Sequence, residues 1–331
     1  MHRASNSYFA VELFGSDSSS NGEDLNACAA LLTKARLEGG FFYLPPRLLI
    51  RLAGKDRGRY LNGQISNDLR KLIPGEAMKA CVLTPKGKLV ALVHIMLDEE
   101  ALLIEAEEAL SEVLPARLER YMVADDVTIE VIAAPEKVHL FGSLLNDPEV
   151  QLAPGIIIQR LGMLGKDIDV SLVPSLSILS EKKSLPSEIL EILRIERGVP
   201  RWGLELTAET LPPEARLEEN SINYEKGCYL GQEVISRLRS VGHVNRLLCI
   251  LVAEEGKTLV PGMEIFSPDD TMTNQPSRPL GLLTSVAEQY DTGRWIALGY
   301  VRRGSDTVGT RLIATDPATG VTANVIVSSR N

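Results

Sequence analysis

The last part of the chain, from about residue 242 onward, carries the pattern that most restricts the fold. Helical periodicity disappears there, and short apolar runs alternate with turns that contain glycine or proline. A regular series of short strands of this kind is typical of a small antiparallel barrel or sandwich. We therefore predict an antiparallel β-barrel or β-sandwich over 242–331, with strands at 247–252, 263–266, 280–286, 295–301, 311–314 and 321–327.

The preceding residues mix helices with strands. Residues 80–95 predict a hairpin that turns at 85–88, and amphipathic helices are expected over 107–121 and 188–196. Gly198 ends the second of these helices, because glycine readily takes the left-handed conformation of a helix C-terminus. Hairpins mixed with helices in this order indicate an α+β fold and not alternating parallel βαβ units.

Composition excludes several classes of function. The chain has 35 Lys and Arg against 44 Asp and Glu, a net charge of -9. An acidic surface repels phosphate backbones, so we expect no general nucleic-acid binding. No apolar run approaches the length of a membrane span, and no membrane association is expected. The four cysteines form no CxxC pair, which predicts no metal site and a reducing, cytoplasmic setting; they are Cys28, Cys81, Cys228 and Cys249.

Residues 223–239 are the densest polar segment of the sequence. Lys226 lies two residues before Cys228, and a helix is expected to begin near Gly231. A nearby cation and a helix N-terminus both favour the thiolate, so Cys228 is predicted to be the most reactive cysteine. Arg237 and Arg239 add positive charge that suits an anionic ligand. The alternative left open is that Cys228 is a small packed residue beside two turn glycines.

Glu196 is the second candidate site residue. It ends the helix predicted over 188–196, where a carboxylate is unfavourable unless it is paired or bound to a ligand. Arg194 or Arg197 could pair with it at the surface, and the charges alone favour that interpretation.

Four segments carry a resemblance to a known family. Residues 226–233, KGCYLGQE, resemble the signature of the YgfZ-type folate-binding proteins, a branch of the glycine-cleavage T-protein (aminomethyltransferase) superfamily. Residues 60–68 (YLNGQISND), 84–88 (TPKGK) and 194–200 (RIERGVP) resemble further elements of the family. The resemblance extends over nearly the whole chain.

The resemblance implies three domains around a central opening. We expect a discontinuous folate-binding α+β domain over 1–50 and 136–241, an inserted α+β domain over 51–135, and the barrel over 242–331. It also implies that the chain binds tetrahydrofolate in the opening, and that it is an accessory protein for iron-sulfur cluster assembly or repair. Iron-sulfur client proteins would then be its partners.

The resemblance also assigns roles to single residues. Glu196 corresponds to a carboxylate that contacts the pterin, whose adjacent ring N–H and amino donors suit a charge-assisted bidentate contact. Lys226 and Cys228 carry over as the functional, catalytic pair of the signature. Tyr229, Gly231 and Gln232 would shape that site, and Arg237 and Arg239 would receive the folate glutamate tail.

One departure from the family bears on catalysis. Aminomethyltransferases carry an aspartate pair where this chain has Ala91 and Leu92. Without a carboxylate there, an iminium-like centre lacks electrostatic stabilisation, which disfavours aminomethyl transfer. Two alternatives to the accessory role remain: a folate-dependent one-carbon transferase, and a non-catalytic binding scaffold.

Overall fold

The computed structural model describes residues 22–173, 177–269 and 278–330. Within these ranges the chain forms eight α-helices, which are α1 (Gly22–Leu37), α2 (Arg57–Gln64), α3 (Val113–Glu119), α4 (Pro148–Leu152), α5 (Ser177–Glu181), α6 (Ser187–Glu196), α7 (Glu218–Ser221) and α8 (Gln232–Ser240).

Fifteen strands in the same ranges form three sheets. They are β1 (Gly39–Tyr43), β2 (Arg47–Ala53), β3 (Met78–Leu83), β4 (Leu89–Asp98), β5 (Ala101–Glu107), β6 (Thr128–Ile132), β7 (Lys137–Gly142), β8 (Ile156–Arg160), β9 (Met163–Asp169), β10 (Arg246–Ala253), β11 (Glu264–Phe266), β12 (Gly281–Gln289), β13 (Arg294–Arg302), β14 (Arg311–Thr315) and β15 (Thr322–Ser328).

The predicted C-terminal barrel is confirmed. Its six strands close in the order β10-β13-β12-β11-β14-β15, and each neighbouring pair is antiparallel. Alternate residues of β10, such as Cys249 and Leu251, belong to the barrel interior. Their neighbours Leu248 and Ile250 belong to a second core outside the barrel, which also contains the apolar face of α6. Side chains that alternate across a strand therefore attach α6 to the barrel.

Two antiparallel sheets form the rest of the α+β fold. The first sheet has the order β1-β7-β9-β8 and the second has the order β3-β4-β5-β2-β6. They are joined at one edge by the main chain, where Ala77 N donates to Ile157 O at 2.8 Å and Ile157 N donates to Gly75 O at 2.8 Å. The division into domains at residues 50, 135 and 241 stays a proposal built on these sheets.

Two local elements differ from the sequence expectation. The helix expected over 107–121 is shorter, because the helical stretch α3 begins only at Val113. Pro115 cannot donate within a helix, and its ring crowds the carbonyl four residues earlier, so the helix cannot extend toward 107. Strand β9 was not expected, because Lys166, Asp167 and Asp169 interrupt its apolar pattern.

Candidate functional site

Helix α6 carries Glu196 to the boundary between the barrel and the first sheet. Ile189, Leu193 and Ile195 of this helix are fully buried, so the helix is fixed by its apolar face. Gly198 follows with φ +63 and donates its N–H to the Ile195 carbonyl at 2.9 Å. This is the predicted glycine end of the helix, and it fixes the position of the carboxylate.

The Glu196 carboxylate is 8% exposed and is held by two side chains from other elements. Arg36 of α1 forms a bidentate contact, with Nε 3.1 Å from Oε2 and Nη2 donating to Oε1. Gln289 Nε2 donates to Oε1 at 2.7 Å. Arg36 also pairs with Asp291. These groups surround a cleft of 440 Å³, lined by Arg36, Glu196, Arg197, Gln289, Asp291 and Thr292.

Arg36 is a site residue that sequence reasoning did not find. The sequence offered Arg194 or Arg197 as the partner of Glu196, but Arg36 lies 160 positions away in the chain. Arg194 is instead buried and donates to Glu205 at 3.1 Å and to Ser285 at 2.7 Å. Arg194 therefore attaches α6 to β12, and the Glu196 carboxylate faces the cleft.

Lys226 is 5% exposed and holds two of the family-like segments together. Its Nζ donates to the main-chain carbonyls of Asn62 at 2.6 Å, Ile65 at 2.8 Å and Asn67 at 2.7 Å. Burial lowers the pKa of Lys226 to about 8, while three carbonyl acceptors favour its ammonium form. All three ammonium protons are therefore committed to the loop that follows α2.

The turn that contains Lys226 has both buried and exposed side chains. Tyr229 is buried, its ring centroid lies 5.1 Å from Lys226 Nζ, and burial raises the pKa of its phenol well above the usual range. Cys228 is exposed. The alternative in which Cys228 is a small packed residue beside two turn glycines is therefore wrong, and its side chain is accessible to a ligand or a partner.

The start of α8 is fixed against the hairpin of β3 and β4. Gly231 has φ +86, and a Cβ there would lie 2.6 Å from the Thr84 carbonyl oxygen, so only glycine fits. Gln232 Oε1 accepts from Tyr229 N at 3.4 Å. The segments 84–88 and 226–233, which lie far apart in the sequence, are therefore neighbours in the fold.

The two predicted tail-binding arginines have different surroundings. Arg237 is exposed and pairs with Glu233 at 2.8 Å. The Arg239 guanidinium carbon stacks 3.9 Å from the Tyr224 ring centroid. Arg239 lines a second cleft of 390 Å³, together with Asn67, Lys71, Glu219, Asn220, Ile222, Asn223, Tyr224 and Glu225. Of the two arginines, only Arg239 lines this cleft.

The two clefts have no lining residue in common. Glu196 lines the first cleft. Asn67, whose carbonyl accepts a hydrogen bond from Lys226, lines the second. Among the described residues, no group of three or more His, Cys, Asp or Glu side chains is arranged to hold a metal ion, and no helix has the length and apolarity to cross a membrane.

Comparisons with known proteins identify relatives over most of the chain. A putative chloroplast transferase of Arabidopsis thaliana is 25% identical over 307 residues, which cover 83% of this chain and 68% of that protein. The "tRNA-modifying protein YgfZ" of Colwellia psychrerythraea is 24% identical, covering 61% and 68%. The mitochondrial "iron-sulfur cluster assembly factor IBA57 homolog" of Neurospora crassa is 27% identical, covering 69% and 57%. No protein-family model matches the chain.

A solved structure shares the fold. The glycine cleavage system aminomethyltransferase T from Bartonella henselae superposes with a TM-score of 0.76 at 18% identity, covering 91% of this chain and 88% of that one. The chain thus has the α+β fold of this aminomethyltransferase, with a C-terminal barrel. In sequence, the chain is similar to proteins named YgfZ and to an iron-sulfur cluster assembly factor, at 24–27% identity.

Proposed function

We propose that this chain is a tetrahydrofolate-binding accessory protein for iron-sulfur cluster assembly or repair. Relatives named as iron-sulfur cluster assembly factors and as tRNA-modifying YgfZ proteins support this role. The observation that carries it is Glu196, a buried carboxylate facing a 440 Å³ cleft at the position that the family resemblance assigns to the pterin. The four cysteines are free thiols, in keeping with a cytoplasmic setting.

The pterin would bind by replacing Arg36 as the hydrogen-bond partner of the Glu196 carboxylate. Its ring N–H and amino group are adjacent donors that a single carboxylate can accept together. Arg36 now occupies both oxygens, but it also contacts Asp291. We propose that Arg36 stays paired with Asp291 when the pterin binds, so that its charge is not left without a partner.

The second group of residues would act at the loop that contains Cys228. Lys226 attaches this loop to the three carbonyls of residues 62–67 and is therefore a positioning residue in the proposal. The exposed Cys228 thiol would meet the one-carbon unit, cluster or partner protein. Tyr229 and Gln232 keep the turn in place. Arg239 is a better candidate than Arg237 for the carboxylates of a folate tail, because it lines a cleft.

Titration with tetrahydrofolate tests the role of Glu196. Glu196→Gln keeps the size of the side chain and removes the charge, and we expect affinity to fall at least about tenfold because charge-assisted bidentate contacts are lost. Glu188→Gln is the matched control, since Glu188 is exposed on the same helix. Equal affinity of Glu196→Gln and the wild type would remove Glu196 from the site, and no affinity in the wild type would favour the scaffold alternative.

The role of Cys228 is tested in a strain that lacks the protein. We expect Cys228→Ser to fail to restore iron-sulfur enzyme activity, because a hydroxyl is a poorer nucleophile and a poorer cluster ligand than a thiol or thiolate. Cys28→Ser is the control and should restore activity. Full activity with Cys228→Ser would show that the exposed thiol is not required.

The alternative of aminomethyl transfer remains disfavoured. Ala91 and Leu92 lie on β4, and neither can orient or stabilise a positively charged reaction centre. We expect no formation of methylene-tetrahydrofolate from an aminomethyl donor. Steady turnover in that assay would make the chain a one-carbon transferase.

A further inference from the structure

Three polar residues lie side by side across the second sheet. Lys79 of β3 is the register partner of His94 of β4, and His94 is the register partner of Glu105 of β5. Register partners share a face of the sheet with Cβ atoms about 5 Å apart. Arg160 of β8 reaches Glu105 at 2.7 Å, so the first sheet covers this face at Glu105, while Lys79 and His94 are half-buried.

The charges around this row do not balance. Glu105 is contacted by Arg160, by Arg47 at 3.3 Å and by Lys137 at 3.6 Å. Burial raises the pKa of Glu105, but the attraction of these cations outweighs it and lowers the pKa to about 2. Cations at such depth are normally paired with carboxylates. Arg47, Lys137 and Arg160 form ion pairs with Glu105, Glu107 and Asp167, and the half-buried Lys79 of the row is one further cation without a carboxylate partner among the described residues.

Lys79 and His94 are the members of the row that have no partner. Both ring nitrogens of His94 are buried without a hydrogen bond, and the half-buried Lys79 has no side-chain hydrogen bond or ion pair within the described ranges. Burial, with further repulsion from Arg160 and Lys79, lowers the pKa of His94 well below its usual value. Arg47 also lowers it, and Glu105 alone opposes the shift. Buried polar atoms without partners are costly, and a ligand would remove that cost.

We propose that Lys79 and His94 form a binding site for one carboxylate group between the two sheets. A carboxylate has two oxygens, one to accept from the Lys79 ammonium and one to accept from an imidazole N–H. Its single negative charge cancels the one excess cation, whereas a phosphate dianion would exceed it. The carboxylate would belong to a free small acid, or to the glutamate of a folate if the proposed function holds.

The first test observes His94 directly in the full chain with ¹⁵N-labelled histidine. Acetate should move the His94 ring nitrogens saturably and raise the His94 pKa, because an adjacent anion stabilises the imidazolium. Chloride and phosphate at equal ionic strength should not. An equal response to chloride overturns the site, and an equal response to phosphate overturns its specificity for a carboxylate.

The second test uses variants of Lys79. Lys79→Met should leave the melting temperature of the ligand-free protein unchanged or higher, since it removes an unpaired charge, while acetate affinity falls about tenfold or more. Lys79→Arg should restore most of that affinity. Lys257→Met, at an exposed lysine of the barrel segment, is the matched control and should change neither quantity. A lower melting temperature with unchanged acetate affinity would show that Lys79 is structural.

Two fragments of folate separate this inference from the proposed function. Binding of p-aminobenzoylglutamate that moves His94 and is lost in Lys79→Met assigns the carboxylate to the folate tail. Tetrahydrofolate binding that is unaffected by Lys79→Met, with no acetate response, overturns the inference and leaves the proposed function standing. An acetate response without binding of tetrahydrofolate or 6-methyltetrahydropterin supports the inference and contradicts the proposed function.

Discussion

The ammonium group of Lys226 donates to three main-chain carbonyls, and the exposed Cys228 thiol lies two residues further on. The sequence places both residues in one motif, but spacing alone does not tell which side chain points inward. Tertiary contacts decide which side chain is buried, because the long Lys226 side chain reaches inward to the carbonyls of Asn62, Ile65 and Asn67. The Arg36 partner of Glu196 was equally out of reach of the sequence, since a contact across 160 positions leaves no local pattern.

Lys226→Met should lower the free energy of unfolding by about 2 kcal/mol. Three carbonyls lose a charged donor, and the relief of not burying an ammonium offsets part of that loss. Urea denaturation measures the change, and modification of Cys228 by a thiol reagent should become faster as the loop loosens. The exposed Lys257→Met variant should stay within about 0.5 kcal/mol of the wild type. Equal stability of the two variants would mean that the carbonyls are satisfied by other donors.

At the scale of elements, the sequence predicted those helices and strands whose apolar residues are regularly spaced within one segment. The hairpin of β3 and β4, helix α6 and the six barrel strands all follow from apolar spacing and turn residues. Strand β9 does not, because Asp167 is buried with Arg160 and His139, and such a polar contact between strands cannot be read from one segment. The packing of α8 on the hairpin is likewise a tertiary contact.

Gly87→Ala tests that packing. Gly87 has φ +73, and an added Cβ would lie 2.9 Å from Val234 Cβ of α8, whereas Gly75 has φ +81 with no atom within 4 Å. Both alanine variants bear the cost of positive φ, about 1 kcal/mol, and Gly87→Ala must also displace α8, for a total of about 2–3 kcal/mol. Urea denaturation should separate the two variants. Equal losses would show that the hairpin tip and α8 are not tightly packed.

At the scale of the whole molecule, the first sheet connects the other two. One core joins Phe42 and Phe141 of this sheet to α6 and to the outer face of the barrel. Arg160 connects the same sheet to the second one through Glu105. The barrel contact has this apolar core and also the pairs of Arg36 with Glu196 and Asp291, while the charged contact between the first two sheets is centred on Glu105. Acid should therefore weaken the junction of the first two sheets as Glu105 takes up a proton.

Glu105→Gln tests the charged junction. The pKa of Glu105 is about 2 in the folded chain against an ordinary 4.5, so folding favours the carboxylate. The corresponding stabilisation, about 3 kcal/mol, is complete above pH 4.5 and is lost as the pH falls toward 2, because the unfolded chain takes up the proton first.

Urea denaturation at pH 6, 4 and 3 measures this loss. We expect a steeper fall in the wild type than in Glu105→Gln, with the variant less stable at pH 6 because Arg160 and Arg47 lose their shared carboxylate. Glu99→Gln, at an exposed position, should follow the wild type. Parallel curves for the wild type and Glu105→Gln would show that acid acts elsewhere, and that the two sheets are held by their main-chain bonds at Ile157 and not by this charge.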